Sequence, residues 1–295
     1  MTKNIEQEAK GQSLQDDLQN DWAAPEKTSK ESHPQVSILI PIYNEEGILD
    51  QSVRDLSRGC DALGISYELV LCENGSKDRT VEIAEQLCKE LPSVHLLRHP
   101  EPNYGGALNA GIQSARGKNI VCFEIDFYDI PFVEIANVML KKYDAVIGSK
   151  RSPGARDRRP WVRRFITWGF NTFLRIFFRF KGTDTHGIKA FRTLPAKPIA
   201  ASCQTDRDIF TTELVIRMER ADFRMCEIPL EIEELRPAPI NIMKRVPGTL
   251  KNLLLLWKAT HKIKRPEHVL DRISRPGELV EHRDPIKRAA GQKND

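Results

Sequence analysis

No two cysteines in this chain are spaced for a metal or redox centre. The six (Cys60, Cys72, Cys88, Cys122, Cys203 and Cys226) are scattered and form no CxxC. That speaks against a zinc ribbon and a disulfide framework, and it fits a reducing cytosol. Cys72 and Cys122 stand inside apolar, strand-like runs, where a thiol acts as a small hydrophobe. Long apolar runs are missing as well. Nothing approaches roughly 18 uninterrupted apolar residues, so no spanning helix is expected. The opening residues are polar and acidic and lack the apolar segment of a secretory signal, so none is expected. Neither a GxxxxGK[ST] phosphate loop nor a GxGxxG fingerprint occurs, and no internal repeat is visible.

What remains suits one sizeable α/β domain with appendages, or two small domains: 295 residues, 40% of them apolar. Residues 1–34 are rich in Gln, Asn, Asp, Glu and Lys and read as a disordered tail. Residues 35–240 carry the folded pattern, and 241–295 an amphipathic helix with a charged tail. Within the fold, apolar runs at 36–40, 67–71, 94–97, 120–123 and 145–147 read as strands. Between them lie helical patterns at about 46–60, 80–91, 105–115 and 131–142. That alternation predicts right-handed βαβ crossovers and a mostly parallel, doubly wound sheet. Continuous rather than alternating apolar strands predict burial on both faces. Further on, the pattern predicts helices at 161–180, 208–220 and 249–262, and a strand at 225–235.

The carboxyl edge of such a sheet is where ligands bind, and the loops expected there are polar. They carry Tyr43-Asn44-Glu45 after the first strand and Glu73-Asn74-Gly75-Ser76-Lys77-Asp78 after the second. The third is followed by Asn103-Tyr104-Gly105-Gly106, the fourth by Glu124-Ile125-Asp126, and the fifth by Gly148-Ser149-Lys150-Arg151. Singly, each could be turn or cap chemistry. Glu124 and Asp126 are spaced i, i+2, which in an extended chain puts both carboxylates on one face. Two hard oxygen ligands suit Mg2+ or Mn2+ bridging a diphosphate. Asp129 either completes that metal site or caps the helix opened by Pro131.

In this order the motifs resemble a family 2 glycosyltransferase, of the branch of dolichyl- and polyprenyl-phosphate sugar synthases. The match runs through Pro41-Ile-Tyr-Asn-Glu45, Glu73 to Thr80, Asn103 to Asn109, Glu124-Ile-Asp126, Gly148 to Arg151 and Gly187-Ile-Lys-Ala-Phe-Arg192. It implies a nucleotide-diphospho-sugar transferase (GT-A type) fold, a nucleotide-sugar donor and a divalent metal. By the resemblance, Pro41, Tyr43 and Glu45 line the nucleotide pocket. Glu73 and Asn74 replace the family's Asp-Asp pair, and Glu124 and Asp126 stand for its Asp-x-Asp. Lys150 and Arg151 help to hold phosphates, Arg163 matches a phosphate-binding arginine, and Thr167 matches a nearby hydroxyl. Asp184 and His186 are left open. For a hydroxyl acceptor, Glu213 or Asp208 would be the base; a phosphate acceptor needs none.

Charge is unevenly placed. From Lys150 to Lys181 there are ten lysines and arginines against one acid, Asp157. A patch of that kind faces phosphates or an anionic membrane surface. The aromatic, arginine-punctuated stretch 161–180 reads as a buried helix or as an interfacial membrane helix, and 249–262 reads the same way. The expectation is a cytoplasmic enzyme that moves a hexose from GDP-mannose or UDP-glucose to polyprenyl phosphate, touching the membrane peripherally. The alternatives are a saccharide or other soluble acceptor, with those helices as core or homo-oligomer interface, or a sugar-nucleotide-binding protein without catalysis. Nucleic acid is not an expected partner.

Overall fold

The computed structural model describes residues 33–99, 101–152, 154–157, 161–185, 187–205, 209–232, 252–258 and 260. Nine strands fall within them: β1 (Val36–Ile42), β2 (Tyr67–Asn74), β3 (Val94–His99), β4 (Asn119–Cys122), β5 (Ala145–Ser149), β6 (Arg156–Asp157), β7 (Lys189–Arg192), β8 (Met225–Pro229) and β9 (Glu231–Ile232). The helices are α1 (Leu49–Leu63), α2 (Thr80–Glu90), α3 (Tyr104–Ser114), α4 (Ile130–Met139), α5 (Trp161–Phe178), α6 (Thr193–Ala201) and α7 (Phe210–Arg220), with 252–258 also helical.

Seven strands form one sheet in the order β3-β2-β1-β4-β7-β5-β8. β1 runs parallel to β2 and β4, β2 to β3, and β5 to β8; β7 is antiparallel to both its neighbours. This is the mostly parallel α/β sheet that the alternation of strands and helices predicts. β6 and β9 pair separately. All seven residues of β1 are buried, as a strand covered on both faces requires. Ile38, Ile40 and Ile42 face a core packed by α1, α2 and α4, and Leu39 faces a second core packed by α3, α5, α6 and α7. Strand order reverses beside β1, which has β2 on one side and β4 on the other. A crevice outside the carboxyl ends of β1 and β4 is therefore where a doubly wound sheet opens to a ligand.

The structure departs from the sequence pattern in four places. The first helix begins at Leu49 rather than about 46, because Glu45 to Ile48 form a turn in which the Glu45 carbonyl accepts from the Ile48 and Leu49 amides. β7 and α6 were not anticipated; β7 has only four residues, and its lysine and arginine hide the strand signal. The strand expected at 225–235 is split, β8 ending at Pro229 and β9 crossing to β6. The long aromatic helix is buried along one side and exposed along the other. Asn171, Leu174 and Phe178 of α5 are buried, while Trp161, Phe165, Trp168, Ile176 and Phe177 are exposed. The end residues 1–32 and 261–295, with Asp208 and His186, lie outside the described residues.

Candidate active site

The loops after β1 and β2 are stitched together by side chains that cap each other's backbones. Asn44 takes a left-handed conformation (φ 54°), which asparagine tolerates better than most residues. Its amide donates to the Ser76 hydroxyl at 3.0 Å, and its own Oδ1 accepts from the Lys77 amide at 2.8 Å. The Glu45 amide donates to Thr80 Oγ1 at 2.7 Å, the Glu46 amide to Asp78 at 3.2 Å, and the Arg79 amide to Glu46 at 3.0 Å. The two loops are thus held in one shape before any ligand arrives. Pro41 is buried in β1, Tyr43 is 41% exposed at the strand's end, and Glu45 is partly buried between them and α1.

Glu73 and Asn74 end β2, both buried. Glu73 accepts the Ser76 amide at 2.5 Å, and Asn74 Oδ1 accepts the Asn103 amide. Asn103 in turn caps α3 by accepting from the Gly106 amide at 2.9 Å. Gly75 (φ 73°) makes this possible, since a Cβ there would sit 2.9 Å from the Pro102 nitrogen. The side chains at 73 and 74 therefore tie the second loop to the third.

The two carboxylates after β4 lie on a turn, not on an extended strand. Glu124 and Phe127 pair as an antiparallel bridge, with amide-to-carbonyl distances of 3.3 and 3.1 Å. Ile125 is buried in the core, which leaves Asp126 exposed at the apex and Glu124 partly buried beside it. Tyr104 donates its hydroxyl to Glu124 Oε1 at 2.8 Å. Burial pushes the Glu124 carboxyl above its ordinary value, and the Asp126 charge adds to the effect; Tyr104, Lys189 and Lys150 oppose it without cancelling it. Lys189, on β7, is 3% exposed and donates to the Gly187 carbonyl at 2.7 Å. The motif Gly187 to Arg192 contains it, but no role beside Glu124 was assigned to it. Asp129 caps α4, its carboxylate accepting from the Phe132 amide at 3.2 Å with Pro131 in the first turn.

Among the described residues, no three Asp, Glu, His or Cys side chains gather into a metal-binding group. Glu124 and Asp126 are two hard carboxylates on one turn, Asp126 exposed and Glu124 hydrogen-bonded by Tyr104. That suits a cation of the Mg2+ or Mn2+ kind, which binds through one or two carboxylates and completes its shell with water and substrate phosphates.

Beyond β5, a cavity of about 310 Å³ is lined by Lys150, Arg151, Ser152, Ala155, Arg164, Thr167 and Trp168. Three cations and two hydroxyl residues in so small a space would suit an anion. Lys150, in the lining, also draws the Glu124 pKa down. Asp184, 2% exposed, accepts from the Lys150 amide at 3.4 Å. Trp168 is 50% exposed and stacks on Phe165, ring centroids 5.8 Å apart, so the aromatic face of α5 begins at the pocket wall. Arg163 lies in the same helix turn as Arg164, and its side chain lies outside the described residues.

Glu213 stands apart from this group. It is fully buried and accepts from the Gln204 and Thr205 amides, the Thr205 hydroxyl at 2.6 Å and Arg217 Nε at 2.6 Å. A carboxylate offers about four acceptor directions, and these are taken by the loop at 204–205 and by its ion pair.

The family model described as Glycosyl transferase family 2 matches residues 37–200. Glycosyltransferase AglD of Haloferax volcanii is 27% identical over 230 residues, covering 76% of this chain and 37% of that protein. Dolichyl-phosphate beta-glucosyltransferase ALG5A of Trichomonas vaginalis is 26% identical over 220 residues, 70% of this chain and 68% of that one. The chain thus spans little more than a third of the first relative and about two thirds of the second. Among solved structures, glucosyl-3-phosphoglycerate synthase from Mycobacterium tuberculosis in complex with Mn2+, UDP and glucosyl-3-phosphoglycerate aligns with a TM-score of 0.58. That alignment covers 80% of this chain and 82% of the other, at 18% identity, and shows the shared fold.

Proposed function

This chain belongs to glycosyl transferase family 2, and from that premise we propose that it transfers a hexose, with inversion, from a nucleoside-diphosphate sugar to a polyprenyl phosphate. The observation that carries the reading is the junction beside α5. There a pocket holding Lys150, Arg151 and Arg164 opens onto Trp168 and the exposed aromatic face of the same helix. A phosphate joined to a long apolar tail matches both halves. Relatives named as dolichyl-phosphate glucosyltransferases, and a fold neighbour holding UDP and Mn2+, favour UDP-glucose over GDP-mannose as donor.

In this reading the nucleoside occupies the stitched loops after β1 and β2, beside Pro41, Tyr43, Glu45, Glu73 and Asn74. Glu124 and Asp126 hold a Mg2+ or Mn2+, which when bound neutralises charge on the donor's diphosphate. Asp129, as a cap, serves the site by fixing the end of the turn. Lys150, Arg151 and Arg164 bind and orient the acceptor phosphate, with Arg163 in the same turn as a further phosphate ligand. A phosphate oxygen attacks the anomeric carbon as its bond to the diphosphate breaks, and the departing nucleoside diphosphate takes the electron pair. The attacking oxygen is already anionic, so no general base is required, and a packed Glu213 is consistent with that.

No described helix is long and apolar enough to cross a membrane. Membrane contact is proposed instead through the exposed residues of α5 and through Leu254, Leu255 and Trp257 of the 252–258 helix. The deciding experiment offers radiolabelled UDP-glucose and Mn2+ with undecaprenyl phosphate in vesicles, against 3-phosphoglycerate in solution. Label in the lipid extract is expected. Label only in the soluble acceptor would overturn the lipid assignment, and GDP-mannose as sole donor would overturn the nucleotide.

A further inference from the structure

Glu227 lies on β8, 6% exposed. No motif singled it out, and the proposed chemistry does not use it. Both of its oxygens are taken by a single residue. The Thr183 amide donates to Oε1 at 2.5 Å and the Thr183 hydroxyl to Oε2 at 2.6 Å. The same hydroxyl lies 2.5 Å from Ser149 Oγ, which accepts the Arg151 and Ser152 amides, each at 3.0 Å.

With Glu227 ionised, the direction of each proton in this chain follows. A serine hydroxyl has two acceptor sites and one donor. Two amides fill the acceptor sites of Ser149, so its proton goes to Thr183 Oγ1. The Thr183 proton then goes to the Glu227 carboxylate, which only accepts; burial pushes the Glu227 pKa up, and the two Thr183 donors oppose that rise. Space is reserved for the arrangement: a Cβ at Gly182 would lie 3.0 Å from Glu227 Oε1 and would overlap the Phe180 ring. At the far end stand Arg151 and Ser152, which with Lys150 line the anion pocket.

From this geometry we infer that Glu227 is a positioning residue: through Thr183 and Ser149 it sets the backbone that presents Lys150 and Arg151 to the acceptor anion. The inference rests on the reading of that pocket as the acceptor-phosphate site. It explains why a carboxylate is kept in the interior near a pocket meant for anions, where its charge alone would weaken binding. Its role is to orient hydroxyls and amides, and the two hydroxyls stand between it and the pocket loop.

The test uses the full chain and three variants, Glu227→Gln, Thr183→Val and Thr183→Ser. The Glu227→Gln amide would present an N–H to a group that already donates, and Thr183→Val breaks the chain without touching the acid. Two readouts are taken: amide hydrogen exchange at 151–152 against β1, and calorimetric binding of farnesyl phosphate and, separately, of UDP with Mn2+. In Glu227→Gln and Thr183→Val, exchange at 151–152 should rise about tenfold with β1 unchanged. Farnesyl phosphate should weaken about tenfold, as expected for loss of one charge-assisted hydrogen bond. UDP affinity should stay within about twofold, and Thr183→Ser should behave as the parent. Unchanged exchange in Glu227→Gln would overturn the inference, as would equal loss of farnesyl phosphate and UDP. If the parent itself ignores farnesyl phosphate, the acceptor reading falls, and the exchange data still decide whether Glu227 sets the loop.

Discussion

Glu68 and Glu124 sit at opposite ends of neighbouring parts of one sheet, and the protein treats them oppositely. Glu68, toward the amino edge on β2, is 3% exposed and richly satisfied. It accepts from the Ser37 hydroxyl at 2.5 Å, the Arg116 amide at 2.7 Å and Arg116 Nε at 2.8 Å. Burial would raise its pKa, but Ser37 and Arg116 outweigh it and hold the carboxyl below its ordinary value. Glu124, past the carboxyl end of β4, has one hydroxyl donor and stays above its ordinary value because burial wins. Glu213 belongs with Glu68, its acceptor directions taken by neighbours. A structural carboxylate is satisfied by its own chain. A carboxylate with few donors of its own beside an exposed acid is the kind of pair that the proposed cation would use.

The comparison can be broken most forcefully at the exposed acid. Asp126→Ala should lower transfer by about 10²–10³-fold, the scale seen when a group stabilising transition-state charge is removed. Its unliganded melting temperature should match the parent, because the side chain supports no packing. Parent-like stabilisation by UDP-glucose and Mn2+ in a thermal-shift assay would remove Asp126 from the donor site.

Glu68→Gln should instead cost stability, about 2–3 kcal/mol in urea unfolding, and leave turnover per folded molecule unchanged. The figure is set below that of a fully buried pair because the Arg116 side chain is 38% exposed. The effect has a pH signature. Glu68 has a lowered folded pKa, so its contribution is complete above the ordinary glutamate value and fades as pH falls through the folded value. The gap between parent and Glu68→Gln should therefore close on acidification. A gap that widened would mean that Glu68 is not held ionised.

A smaller effect is expected for Glu124→Gln in metal-free buffer: unfolding free energy within about 1 kcal/mol of the parent, since the burial of that charge is poorly repaid. Loss comparable to Glu68→Gln would show that the site is built for stability after all. The smallest belongs to Arg79→Ala. Its ion pair with Glu82 at 3.1 Å is exposed on both sides, and no change in the urea midpoint should be measurable.

Much of the first half of the fold was legible because its elements follow one another along the chain. Strand, polar loop and helix recur along the first half of the fold, and each loop announces its chemistry locally, down to Glu124 and Asp126. Even there the spacing argument was right about proximity for the wrong reason, since the carboxylates share a turn. The second half resisted. Lys189 comes near enough to Glu124 to lower its pKa only because β7 is inserted antiparallel between β4 and β5. A four-residue strand with a buried lysine has no periodic signal of its own. Glu227, Thr183 and Ser149 are separated by 34 and 44 residues along the chain and meet only across packed strands.

Residue order alone determined the alternation of buried strands and helices, the polar character of the carboxyl-edge loops and the basic, aromatic character of α5. These follow from composition within about ten residues, the range over which periodicity and capping act. Tertiary structure decided which acids are surrounded by donors of the fold and which stand exposed. It gave Glu213 to a loop, Asp129 to a helix cap and Glu227 to a hydroxyl chain, and left Asp126 at an exposed apex. The physical reason is that a carboxylate's role depends on how many donors surround it, and those donors arrive from strands and helices far away in sequence.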